Sequence, residues 1–186
     1  GTGKEAATAK LSEDGVQEIN QDMETTVDEL IRQFEDTLSE EGYHGLHVSQ
    51  EVVTDNAQYY TVKLSVLETE ASGYEHNQFY TIDKQTGNVV ALADLFAEGS
   101  DYISVISENI KTQMREQMVA DEDVIYFLDD EDMTEFNFQS ITEQTNFYFN
   151  ESGELVIAFD EYEVAPGYMG APEFVIPQKV TAGLLK

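Results

Sequence analysis

The chain has 186 residues, 41% of them hydrophobic, so it can bury a substantial core. It contains no cysteine, which excludes disulfides, thiolate metal sites and cysteine catalysis. Its formal net charge of -29, from 38 acidic and 9 basic residues, makes nucleic acid and anionic lipid poor partners.

The first part of the chain, residues 1–12, is small and polar and is expected to form a flexible tail. Within it, Ala7-Thr8-Ala9 has the small-x-small pattern that signal peptidase accepts, so Ala7 and Ala9 mark a candidate cleavage point. The same pattern also occurs by chance in alanine-containing tails. No run of about eighteen apolar residues exists, and membrane contact is therefore expected only through a segment outside this chain.

Apolar residues between Val16 and Leu38 recur at spacings of three and four, which predicts a long amphipathic helix. The helix begins with many acidic residues, which suits the helix dipole. Its polar face is acidic, whereas membrane-surface helices carry Lys and Arg there. The apolar stripe is therefore expected to face a protein core.

Three antiparallel strands are predicted next. Residues 58–67 alternate between apolar and polar side chains, as a half-exposed strand does. Residues 77–83 and 87–92 form a hairpin around the turn at residues 84–87. The long helix is expected to lie across these strands.

A second helix of about four turns is predicted, with Asp94 or Ser100 as its cap and the apolar positions Ile103, Ile106, Ile110 and Met114. Residues 121–140 contain a short apolar run between acidic groups. That run predicts either a short helix or a segment tucked against the core.

The segment from Asn146 to Pro177 predicts a hairpin, an ordered loop and a closing strand. Aromatic and aliphatic runs at residues 147–149 and 155–159 flank a turn that contains Gly153. Residues 162–172 alternate rigid prolines with permissive glycines, as an ordered loop does. Residues 173–176 then form the last strand.

The predicted elements make an α+β fold, in which antiparallel sheets carry two main helices. We expect two intimately associated halves, residues 13–97 and 98–186, after the tail. The interval between Arg115 and Lys179 holds sixteen Asp and Glu and no Lys or Arg, so its negative charge is not balanced by any basic residue.

No metal, cofactor or catalytic group is predicted. The contiguous acids of Asp129-Asp130-Glu131-Asp132 lack the alternation and the glycine of a calcium loop, so a solvated face is the favoured interpretation and a weak site the alternative. His44, His47 and His76 show no zinc-binding spacing. A glycosidase-like carboxylate pair among Asp160, Glu161 and Glu163 is the alternative to a protein-binding loop, which the adjacent tyrosines favour.

The sequence resembles a family of bacterial extracellular domains of unknown function, which occurs in the lysozyme-responsive anti-sigma-V factor and ahead of the catalytic domain of a peptidoglycan deacetylase. The residues that carry the resemblance are Tyr162-x-Val164-Ala165-Pro166-x-Tyr168-x-Gly170 and Val175-Ile176-Pro177, with Ile19-Asn20, Tyr80-Thr81-Ile82-Asp83, Thr86-Gly87 and Leu92-Ala93-Asp94-Leu95-Phe96 upstream. Residues 72–77 depart from the more glycine-rich turn of the family.

The resemblance implies a non-enzymatic domain on the outer face of the bacterial membrane, or a secreted one. It would bind a basic protein such as lysozyme and control proteolytic release of a sigma factor. The residues expected to bind the partner are Glu161, Tyr162, Glu163, Tyr168 and Met169, with Asp129, Asp130 and Asp132 for electrostatic steering. The alternative function is that of a peptidoglycan- or carbohydrate-binding module. The alternative role of Tyr162 is that of a buried residue that determines the fold.

Overall fold

A computed structural model of the protein describes residues 13–40, 48–67 and 75–186. The predicted α+β class is confirmed, with two antiparallel sheets and two main helices. The described residues form two compact units: one holds those up to residue 67 together with Asn77–Val90, and the other holds residues 75–76 and Ala91–Lys186. The tail, Ala7, Ala9, His44 and His47 lie outside the described residues.

The first unit consists of one long helix and a four-stranded sheet of order β1-β2-β3-β4. Its elements are α1 (Glu13–Glu40), β1 (Val48–Asp55), β2 (Tyr59–Leu67), β3 (Glu75–Asp83), whose first two residues belong to the second unit, and β4 (Val89–Val90). The core of this unit joins the apolar stripe of α1 to one face of the sheet through Leu30, Phe34, Leu38, Val62, Leu64, Val66 and Ile82. The predicted helix and the alternation of β2 are thus confirmed.

Three details of this unit differ from the prediction. Strand β1 was not predicted, and it pairs antiparallel along β2 from Val48 opposite Val66 to Asp55 opposite Tyr60. Strand β4 is only two residues long. Thr61, which the predicted alternation of residues 58–67 places on the polar and exposed face, is buried, and its hydroxyl is paired with that of Thr81 at 2.8 Å.

The second unit pairs a helix with a three-stranded antiparallel sheet of order β5-β6-β7. Its elements are a 3-10 helix (Leu92–Leu95), α2 (Tyr102–Ala120), a 3-10 helix (Thr134–Phe136), β5 (Asn146–Phe149), β6 (Leu155–Ala158), a 3-10 helix (Gly167–Met169), β7 (Glu173–Ile176) and α3 (Gln178–Thr181). The hairpin and the closing strand agree with the prediction, and Gly153 has the positive φ that the turn requires.

Helix α2 is longer than predicted and its expected caps are wrong. Asp101 precedes its first residue and makes no capping bond through its side chain. Asp94 instead accepts a hydrogen bond from the Ala91 N–H at 2.9 Å, which closes the first 3-10 helix. Among the described residues no helix is long and apolar enough to cross a membrane.

Within the second unit, residues 121–138 pack against the core as a tucked segment, which is one of the two predicted outcomes. The Phe127 N–H donates to the Val164 carbonyl at 2.7 Å, and the Phe138 N–H donates to the Phe127 carbonyl at 2.7 Å. The rings of Tyr126, Phe138 and Phe159 join an aromatic cluster around the buried Phe174. This segment, the "tucked segment", therefore lies beside the loop that follows β6.

Candidate functional site

Residues 160–170, here the "recognition loop", connect β6 to β7 in a closed and ordered form. The Phe159 N–H donates to the Pro172 carbonyl at 2.9 Å, which joins the two ends of the loop. Val164 and Ala165 are buried and anchor the middle of the loop to the core. The side chains on either side of this anchor are thus held on a stiff support.

Tyr162 has an unusual backbone conformation and an exposed ring. Its φ is 70°, in the left-handed region that favours glycine, and the residue is 50% exposed. Its ring packs on Gly167, where a Cβ would lie 2.5 Å from Tyr162 Cζ and 2.7 Å from Cε1. Glycine at 167 is therefore the residue that makes room for the tyrosine ring, and the alternative of a buried Tyr162 is wrong.

Tyr168 connects the recognition loop to the tucked segment while leaving its ring accessible. The residue is 65% exposed, and its hydroxyl donates a hydrogen bond to the Asp123 carbonyl at 2.8 Å. Together with the bond from Phe127 to Val164, this contact makes the loop and the tucked segment one continuous surface.

A histidine and two carboxylates fix the start of the recognition loop. His76 Nδ1 lies 2.7 Å from Asp160 Oδ2, and the Asp160 N–H donates to Glu163 Oε1 at 2.9 Å. Burial of its carboxylate raises the pKa of Glu163, and Asp160 adds a smaller increase, while the Asp160 N–H and His76 oppose it. The Glu163 residue as a whole remains exposed.

The acids at 129–132 are ordered by specific contacts. Arg115 donates to both carboxylate oxygens of Asp129, at 3.0 and 3.3 Å, and this bond holds the pKa of Asp129 below its usual range. Asp130 Oδ1 accepts the N–H groups of Asp132 and Met133, and Asn137 bonds both the N–H and the carbonyl of Asp130. The carboxylates are thereby held at the surface, and no group of three or more metal-binding side chains occurs in the described part of the chain.

A polar groove of about 390 Å³ runs beside the recognition loop. It is lined by Glu135, Phe136, Asn137, Phe138, Ser140, Thr142, Gln144, Thr145, Asn146, Ala158, Phe159, Glu163 and Val164. Phe136 is 53% exposed, which is unusual for a phenylalanine and leaves much of its ring accessible.

The structure brings the residues predicted to bind a partner onto two connected segments. Tyr162, Glu163 and Tyr168 are exposed, whereas Glu161 and Met169 are half-buried. The predicted steering residues Asp129, Asp130 and Asp132 are exposed on the tucked segment. Sequence reasoning missed His76, Glu135 and Phe136, and no local pattern marks them, because the fold alone brings them to this surface.

Comparisons with known proteins confirm the resemblance. Residues 93–179 match the model of a protein family of unknown function, DUF3298. The chain is 39% identical over 176 residues to the anti-sigma-V factor RsiV of Bacillus subtilis (strain 168), an alignment that covers 89% of this chain and 61% of RsiV. The chain thus spans about three fifths of that relative.

Two solved structures share the fold. A DUF3298 protein of Bacteroides fragilis is 18% identical with a TM-score of 0.52, and the match covers 88% of this chain and 64% of that one. A DUF3298 protein of Pseudomonas aeruginosa is 19% identical with a TM-score of 0.53, covering 82% of this chain and 68% of that one.

Proposed function

Because residues 93–179 match the model of the DUF3298 family and most of the chain is similar to an anti-sigma-V factor, we propose that this anti-sigma-factor-like domain is an extracytoplasmic ligand sensor. In this proposal it faces the exterior of a bacterial membrane and binds a basic protein such as lysozyme. Binding controls the proteolytic release of a sigma factor inside the cell.

The observation that carries this proposal is the composition of the surface formed by the recognition loop and the tucked segment. It combines many carboxylates with half-exposed aromatic rings, and residues 116–178 contain no Lys or Arg. Such a surface attracts a cationic protein over a distance and raises the rate of encounter.

Contact energy would come from the two tyrosines. Tyr162 and Tyr168 are exposed, but Gly167 and the Asp123 carbonyl respectively hold them in place. Ordered aromatic side chains lose little conformational entropy on binding, which is why tyrosine is enriched among the residues that dominate interfaces.

Release of the sigma factor would follow from cleavage in the segment before α1. Ala7 and Ala9 are the candidate cleavage residues. In this mechanism the bound protein makes that segment accessible to a protease. Cleavage assays on the membrane-anchored protein, with and without lysozyme, test this step separately from binding.

Calorimetric titration with lysozyme at low and physiological salt tests the binding step. We expect submicromolar, saturable binding that weakens with salt, and a loss of about tenfold or more in the Tyr162→Ala and Tyr168→Ala variants. A control protein of similar basicity should bind at least about tenfold more weakly. Equal binding of both proteins would mean that charge alone explains the interaction, and no binding of lysozyme would refute the proposal.

A second candidate function is a peptidoglycan-binding accessory module, which the exposure of Tyr162 and Tyr168 favours because aromatic rings stack on sugars. Glycan binding would persist at high salt. Co-sedimentation with purified peptidoglycan at about 1 M NaCl, where the Debye length is about 3 Å, separates this function from charge-driven protein binding.

A further inference from the structure

Several of the neutral polar side chains that line the polar groove form hydrogen bonds with the neighbouring backbone. The Asn137 amide is bonded at both ends to the backbone of Asp130. Thr145 Oγ1 accepts the Thr142 N–H at 2.8 Å, and Thr142 Oγ1 accepts the Gln144 N–H at 3.2 Å. These groups shape the wall and are poorly placed to bind the many hydroxyls of a sugar.

Two carboxylates and one aromatic ring are the features of the lining that select for a charged ligand. Glu135 and Glu163 line the groove, and each carboxylate offers about four lone-pair positions, of which Glu163 uses one for the Asp160 N–H. Phe136 lines the same groove with a half-exposed ring. The groove therefore favours a ligand that donates hydrogen bonds to the carboxylates, carries positive charge and has a face that can stack.

We propose that this groove binds the side chain of an arginine presented by the basic protein partner. The inference rests on the proposed function and deepens it by naming the group that the domain recognises. The guanidinium ion donates to Glu135 and Glu163 and lies against the ring of Phe136.

Arginine suits the groove better than lysine does. Its guanidinium presents five donors in one plane, stacks on aromatic faces and is more weakly hydrated than an ammonium ion. Like an ammonium ion it has no acceptor, so it leaves no unpaired group against the carboxylates. The nearby Asp160 is occupied by His76, at 2.7 Å, so Glu135 and Glu163 supply the charge that the lining offers to a ligand.

The groove carries no Lys or Arg of its own. None occurs among its lining residues or anywhere between residues 116 and 178. The volume of about 390 Å³ accommodates a side chain together with several waters, each of which occupies about 30 Å³.

Amide chemical shifts measured by NMR during titration with N-acetyl-arginine amide test the proposal directly. We expect shifts concentrated at residues 135–146 and 158–164, with smaller and less local shifts for N-acetyl-lysine amide. N-acetyl-citrulline amide, which is neutral and nearly isosteric with the arginine compound, should produce none. Shifts spread evenly over the acidic surface, or equal shifts with citrulline, would overturn the proposal.

Variants connect the groove to the protein partner. We expect Glu135→Gln and Glu163→Gln each to weaken lysozyme binding about tenfold, and Phe136→Ala to do so by several-fold. Glu151→Gln removes the same charge from an exposed turn outside the groove and should change affinity less than about twofold. If wild type binds lysozyme and the Glu135→Gln, Glu163→Gln and Glu151→Gln variants all bind with the same affinity, the groove proposal fails and the proposed function stands. If wild type does not bind lysozyme, the proposed function fails, and the titration with the arginine compound still decides what the groove binds.

Discussion

Tyr162 concentrates strain and exposure at one residue of the recognition loop. A φ of 70° costs a non-glycine residue about 1–3 kcal/mol, and such strain is found most often at functional sites. The ring is at the same time supported by the bare backbone of Gly167. This pairing explains why a tyrosine and a glycine stand five residues apart in the loop.

Gly167→Ala tests whether that ring position matters. The atoms that a Cβ would meet belong to the ring of Tyr162, which can swing away, so we expect the unfolding free energy to fall by less than about 1 kcal/mol. Lysozyme affinity should fall by about as much as in Tyr162→Ala. Urea unfolding and calorimetry measure the two effects. Gly183→Ala, at a glycine with open space around its Cβ position, is the matched control and should change neither.

Glu163 makes the stability of the second unit depend on pH. Because burial raises its pKa in the folded protein, the protonated form stabilises the fold. That contribution is complete below the unfolded pKa of about 4.3 and is lost as the pH rises through the higher folded value. Folding therefore carries a cost at neutral pH that a neutral side chain would avoid.

Glu163→Gln should remove this cost, because glutamine can still accept the Asp160 N–H but cannot ionise. We expect the unfolding free energy of the variant to match wild type near pH 4 and to exceed it increasingly as the pH rises toward 6. Urea unfolding across this range provides the measurement. A Glu163→Gln curve parallel to that of wild type would contradict the assignment.

At the scale of elements, one buried hydrogen bond connects α2 to the chain that leads into β5. The Ile141 N–H donates to Ser107 Oγ at 2.9 Å, and both residues are buried. A backbone donor that loses its partner in such a place costs about 1–3 kcal/mol. The bond thus contributes to holding residues 139–145, which form part of the groove wall.

Ser107→Ala should lower the unfolding free energy by about 1–3 kcal/mol. Ser104→Ala makes the same substitution on the exposed face of α2, where the effect should stay within about 0.5 kcal/mol. Chemical denaturation of the two variants measures the difference. Equal effects would mean that the Ile141 bond contributes nothing to stability.

The predictability of each element follows from how much of it is buried. Strand β7 and the β5–β6 hairpin were predicted at nearly their observed bounds, because aromatic and aliphatic residues alternate or cluster there between clear turn residues. Strand β1 lies at a sheet edge with most side chains exposed, so its sequence carries neither an apolar run nor an alternation.

The candidate site also has one part that the local sequence indicates and one part that it does not. The recognition loop could be found from its prolines, glycines and tyrosines, which are local signals. The groove could not, because Glu135 and Glu163 lie 28 positions apart in the sequence and come to line one groove through tertiary contacts, among them the bonds of Phe127 to Val164 and of Phe138 to Phe127. The contact between His76 and Asp160 is likewise set by tertiary structure, and nothing in either local sequence indicates it.

At the scale of the whole molecule, charge opposes folding. The net charge is -29, and only three ion pairs that involve Lys or Arg occur among the described residues. In each of the three the carboxylate partner is largely exposed, so their contributions are small. The remaining acids repel one another, and this repulsion is screened as the Debye length falls from about 10 Å at 0.1 M salt to about 3 Å at 1 M.

Added NaCl should therefore stabilise the fold while it weakens the binding of a basic partner. We expect a rise of about 1 kcal/mol in unfolding free energy between 20 mM and 500 mM NaCl, or about 2–4 °C in melting temperature. A variant with glutamine at the exposed Glu98, Glu122, Glu131 and Glu151 should gain less from salt, because it has less repulsion to screen. Thermal unfolding and lysozyme titration on the same samples measure both effects. A melting temperature that falls with added salt would contradict the prediction, because the loss of affinity could then result from unfolding. A melting temperature that rises while the affinity falls would show that salt weakens the attraction between the acidic surface and its partner.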